Sequence, residues 1–115
     1  MTVDTYKINK NALAKKVDVS VGDKMTVAEA ERFASEFQRT VASIDAQNFE
    51  LHVDCKSMKV LTPELSGKLT EAMQLYRQAG FKKVIFLTQN DPVLKMQLSR
   101  VARTAGLTNA EVLAQ

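Results

Sequence analysis

One cysteine, one histidine, no tryptophan, two prolines and four glycines leave this chain of 115 residues with little of the chemistry that marks out most enzymes. A lone Cys55 cannot form an internal disulfide, and it removes every Cys-pair metal motif, so the chain suits a reducing compartment and a cytoplasmic location is expected. None of the four glycines stands in a G-x-G arrangement, so neither a dinucleotide loop nor a P-loop has sequence support. No apolar run approaches the roughly 20 residues of a membrane span, and MTVDTYKINKNALAKK carries polar residues where a signal peptide needs an apolar stretch, so no membrane association is expected. Charge of one sign is also missing. Sixteen basic residues stand against 13 acidic ones, for a net charge of +3, and both kinds are scattered along the chain as on a solvated surface. The nearest thing to a basic patch is Lys82 and Lys83 together with Lys95, Arg100 and Arg103; no aromatic residues interleave with them, so single-strand stacking lacks its platform and nucleic acid is not an expected partner.

What is present is periodicity. With 45% of its residues hydrophobic, the chain has the length and composition of a single domain over residues 1–115, without repeat or linker. The run VDVSV puts Val17, Val19 and Val21 on one face and Asp18 and Ser20 on the other; Tyr6 and Ile8 alternate in the same way before it, which predicts two strands that can pair as a hairpin, although Lys10 to Lys15 has no tight-turn signature. Gly22-Asp23 then turns the chain. Thr26 and Glu29 have capping-box spacing, and Ala30, Phe33, Ala34, Phe37, Val41 and Ile44 follow at helical intervals. Phe49, Leu51, Val53 and Cys55 alternate with Glu50, His52, Asp54 and Lys56, predicting a third strand. Thr62-Pro63 starts a second helix with the stripe Leu65, Leu69, Ala72, Met73 and Tyr76, which Gly80 ends. VIFL, Val84 to Leu87, is apolar at both parities and predicts a central strand. Asp91-Pro92 repeats the cap ahead of Leu94, Leu98, Val101, Ala102 and Ala105, with Gly106 as the stop, and Thr108 to Leu113 has room for a short last turn of helix. The expected fold is α/β in the order ββαβαβα: a mixed sheet of about four strands, with three or four helices mainly on one face because parallel crossovers are right-handed. An open sheet face carrying Lys7, Asp18, Ser20, Glu50, His52 and Asp54 follows if the first three strands lie side by side.

The element order and the segment VDCKSMKVLTPELSGKLTEAMQLYRQAGFKKVIFL resemble the STAS family of anti-sigma factor antagonists and sulphate-transporter tails, over roughly residues 15 to 113. In that family a strand ending in Asp-Leu leads through a Val-x-Phe stretch to Asp-Ser-Ser-Gly at the start of a long helix; Asp54-Cys55, Met58-Lys59-Val60 and Gly80 fit the frame without gaps. The phosphoacceptor motif then falls on Thr62-Pro63-Glu64-Leu65, so Pro63 or Glu64 replaces its hydroxyl. A gapped alternative on Glu64-Leu65-Ser66-Gly67 recovers a Ser-Gly pair. The resemblance implies a STAS-like sheet and a non-catalytic bacterial regulatory domain, lacking the serine switch and docking on a protein partner: an anti-sigma factor, a kinase-like regulator or an assembly of similar domains. The implied partner-binding residues are Thr62, Pro63, Glu64, Leu65 and Ser66.

Each of these has a simpler reading beside it. Glu64 in the first turn of a helix is stabilised there by about 0.3 to 1 kcal/mol through the helix dipole, and the sharper reading makes its carboxylate a permanent substitute for a phosphate. Ser66 reads as an ordinary helical serine or as a phosphosite. Glu50, His52 and Asp54 share one strand face, where solvated ion pairs account for them better than acid–base or metal chemistry; Cys55, at opposite parity, faces the core away from the only imidazole. No enzyme activity, metal or cofactor is expected. The alternative function is a small structural or assembly subunit, a homo-oligomer built through the exposed sheet face or an edge strand.

Overall fold

The structure, a computed structural model, describes residues 6–21, 27–56 and 63–114, with the side chains of Val21, Val27, Glu64, Leu65 and Ala114 also outside the description. Alternation makes the first two strands. Tyr6–Asn11 (β1) and Lys16–Val21 (β2) pair antiparallel, with Ile8 opposite Val19 and Lys7 opposite Ser20. The turn between them is held by Asn11, whose Oδ1 accepts from the Ala14 amide at 3.0 Å, while Lys15 adopts φ 53°. A lysine in the left-handed region is why the sequence shows no turn signature here.

Val27–Ala42 (α1) then crosses to Glu50–Asp54 (β3) by way of a single 3₁₀ turn, Ala46–Asn48; Pro63–Ala79 (α2) leads to Lys83–Thr88 (β4), and Pro92–Thr104 (α3) to Ala110–Ala114 (β5). Strand order across the sheet is the chain order, β1-β2-β3-β4-β5, and β2 to β5 are parallel. The fold is therefore α/β with a five-stranded mixed sheet. The fifth strand corrects the expected last helical turn over Thr108 to Leu113 and the expected count of about four. Its Val112 is buried and Glu111 and Leu113 are exposed, as strand geometry requires, and its partner β4 explains why VIFL is central.

Gly80 (φ 78°) and Gly106 (φ 77°) stop α2 and α3 in the left-handed conformation that a side chain disfavours. Asp91 caps α3, its Oδ1 accepting from the amides of Val93 and Leu94, each at 3.1 Å, with Pro92 in the first turn. The capping box expected at Thr26 lies outside the described residues, as do Gly22-Asp23 and Met58-Lys59-Val60; α1 does carry Glu29 in its first turn.

Three crossovers advancing in one direction place all helices on one face when each has the usual right hand. Burial agrees. Val17, Val19, Leu51, Val53, Val84, Phe86 and Val112 form one cluster with Phe33 and Phe37 of α1, Leu69, Met73 and Tyr76 of α2, and Leu94, Leu98 and Val101 of α3. At its centre Phe37 stands 5.1 Å from Tyr76, 5.9 Å from Phe33 and 6.0 Å from Phe81, centroid to centroid. Thr88, the one buried polar residue described, donates from Oγ1 to the Leu113 carbonyl at 3.4 Å.

Candidate functional site

Because β2 to β5 run the same way, their carboxyl ends share one end of the sheet, and each helix begins just beyond it. Ligands of open α/β sheets bind outside the carboxyl ends of the strands where strand order reverses; here the order advances one way without a reversal. At the end of β3, Asp54 Oδ1 accepts from the Lys56 amide at 2.9 Å, and its Oδ2 lies 3.8 Å from Lys56 Nζ. Cys55 turns inward: its amide donates to Leu87 O at 2.8 Å, its side chain is fully buried, and burial, with a smaller effect of the Asp54 charge, pushes its thiol up to about 12. A thiol held neutral in this way is a packing group.

Of the five expected docking residues, Thr62 lies outside the described residues. Pro63 is the first residue of α2, exposed, where its fixed φ suits the helix and its missing N–H costs nothing. Glu64 and Leu65 continue that helix, their side chains not described. Ser66 is half-buried one turn in, and its carbonyl accepts from Thr70 Oγ1 at 2.8 Å. Pro63 and Ser66, three residues apart, share a face of α2.

The other cluster occupies the sheet face opposite the helices. The register sets Lys7, Ser20 and Asp54 in one row, Asp18, His52 and Ile85 in the next, and Lys16, Glu50 and Lys83 in a third, so the six residues expected on an open face do share one. Within it Glu50 Oε1 lies 3.1 Å from His52 Nε2, and since an ionised carboxylate only accepts, the ring N–H donates. That hydrogen bond is the main reason the Glu50 carboxyl is held below its usual range, with the positive charges of Lys82 and Lys83 assisting and partial burial opposing. Asp54 is turned to Lys56, so the three side chains do not converge; among the described residues no three His, Cys, Asp or Glu groups are placed to hold a metal.

The expected basic patch is divided. Lys83 lies on the open face with its Nζ 2.7 Å from Glu111 Oε2, whereas Lys95, Arg100 and Arg103 are exposed on α3, in the layer on the other side of the sheet. Two features were missed in the sequence. Ile85 is 9% exposed on the open face, outside the main cluster and next to half-buried Leu87, and among the described residues β5 forms one edge of the sheet. The apolar parity of VIFL signalled the first; no local signal announced the second. Among the described residues no helix is long and apolar enough to cross a membrane. No protein-family model and no curated protein matches the chain.

Proposed function

We propose that this chain is a non-catalytic protein–protein interaction domain of STAS type, used as anti-sigma factor antagonists are used but without their serine switch. The observation that carries this reading is the placement of Pro63 at the first position of α2, beyond the carboxyl end of β3 and at the sheet end where the helices begin. A proline there offers a partner a rigid, exposed first helical residue and no hydroxyl to phosphorylate. The residues around it add the rest: Thr62 before the helix, the Glu64 carboxylate in the first turn, Leu65 as an apolar contact and Ser66 one turn along. Glu64 supplies continuously the negative charge that phosphorylation supplies intermittently in a switched relative. The partner is a regulatory protein with a cationic docking surface, an anti-sigma factor or kinase-like regulator, or a neighbouring domain of the same kind in a larger assembly.

Affinity capture from the cell that makes the protein, read by mass spectrometry, tests this with the wild type and Glu64→Arg as baits. A regulator retained by wild type and reduced at least tenfold with the variant, about 1.4 kcal/mol of binding, is the expected result. Equal recovery with both baits, at unchanged far-UV circular dichroism, overturns the site.

A further inference from the structure

The sheet has two edges, and they are built differently. At one, β1 carries Lys7 and Lys10 within six residues, and Lys10 Nζ lies 3.2 Å from Ser43 Oγ; lysines on an edge strand discourage further pairing. At the other, β5 reads AEVLA, with neither lysine nor proline, and its one charge, Glu111, is engaged by Lys83 on the open face. The pairing of β5 with β4 fixes which of its backbone groups stay unused. Val84 N donates to Asn109 O at 3.2 Å and Val84 is level with Ala110, so Asn109, Glu111 and Leu113 turn to β4 while the N–H and C=O groups of Ala110, Val112 and Ala114 point away from the sheet. Alongside, between α3 and β5, runs a groove of about 310 Å³ lined by Ser99, Ala102, Arg103 and Val112. On the opposite face Leu113 is 40% exposed.

We propose that a second copy of the chain occupies this edge, its β5 antiparallel to the first about a two-fold axis at Val112, so that the two sheets become one. The edge is self-complementary about that residue. Val112 meets Val112 of the second copy, and Ala110 meets Ala114 on either side, small residue against small. All the outward backbone groups are then used, in about six hydrogen bonds, two for each facing pair. A register centred on Glu111 or Leu113 would make that residue a non-hydrogen-bonded pair and join only two facing pairs of these outward residues, in about four hydrogen bonds, so the Val112 register uses the edge most fully. The open sheet face is the poorer surface for self-association, because Lys16, Asp18, Glu50 and Asp54 would have to be stripped of water. This interface is separate from the first turns of α2, and it stands whether or not that docking site does.

Sedimentation velocity of the full chain across about 1 to 200 µM, with amide hydrogen exchange at both ends of that range, tests the pairing. The expected result is a concentration-dependent dimer in which the amides of Ala110, Val112 and Ala114 exchange at least tenfold more slowly than in the monomer. Ala114→Pro removes an N–H that β4 does not use, at an edge where proline is tolerated, and should weaken the dimer at least tenfold with unchanged circular dichroism. A protein that stays monomeric throughout, or a dimer whose three edge amides exchange at the monomer rate, overturns the proposal; the exchange measurement needs no variant and decides alone if Ala114→Pro does not fold.

Discussion

Removal of the Phe37 ring is the sharpest test of how the helices are held to the sheet. Phe37 is 1% exposed and packs against Phe33, Tyr76 and Phe81, side chains from α1, α2 and the approach to β4. Truncating a buried Phe to Ala costs about 3 to 5 kcal/mol, the spread depending on how far the surroundings collapse. Here collapse is easy. A groove of about 180 Å³, lined by Phe37, Val41, Leu75 and Ala79, adjoins the site and admits water or a shifted Leu75 into the space vacated. The lower figure, about 3 kcal/mol, therefore applies. With a urea m-value of about 1.5 kcal/mol/M the unfolding midpoint of Phe37→Ala should fall by about 2 M, followed by circular dichroism at 222 nm. Leu13→Ala, at a position 100% exposed in the β1–β2 turn, is the control and should shift the stability by less than about 0.5 kcal/mol. A Phe37→Ala shift no larger than the control's would refute the view that this aromatic cluster is the keystone of the core.

Two predictions concern titrating groups. Cys55 should resist Ellman's reagent in the native protein at about pH 8 and react promptly once urea unfolds it; since its native pKa is raised from 9.0 to about 12, its contribution to stability is complete below about pH 9 and is lost as pH rises toward 12. Stoichiometric labelling without denaturant would contradict this burial. For Glu50, carboxyl-resolved NMR titration should give a midpoint below 4.5, moving up in His52→Ala; a depressed carboxyl contributes stability above its ordinary range and loses it as pH falls through the lowered midpoint, and an unmoved midpoint in the variant would remove the His52 hydrogen bond from the explanation.

Local rules carried the reading furthest where an element announces its own ends. Asp91, Pro92 and Gly106 bracket α3, and all five members of its expected stripe are buried or pack in the core. β3 was legible through strict alternation, and its polar face is indeed the open one. β5 was not, because Ala110, Glu111 and Ala114 are weak strand formers and only pairing to β4, about 26 residues earlier, makes the segment extended. The β1–β2 turn was obscure for the converse reason: a lysine occupies the position that glycine or asparagine usually advertises. At the candidate site the helix start at Pro63 was readable from the Thr-Pro pair, whereas the division of the basic patch was not, since sequence proximity of Lys83 to α3 conceals that a sheet lies between them.

Strand order that repeats chain order has a consequence for biosynthesis. No strand has to be inserted between two already paired, so each segment leaving the ribosome finds the edge it needs already presented by the one before. The hairpin forms from neighbours, and β3, β4 and β5 are then added one crossover at a time, each addition covering the edge left by the last. Assembly can thus follow translation, strand by strand, along one direction of the sheet.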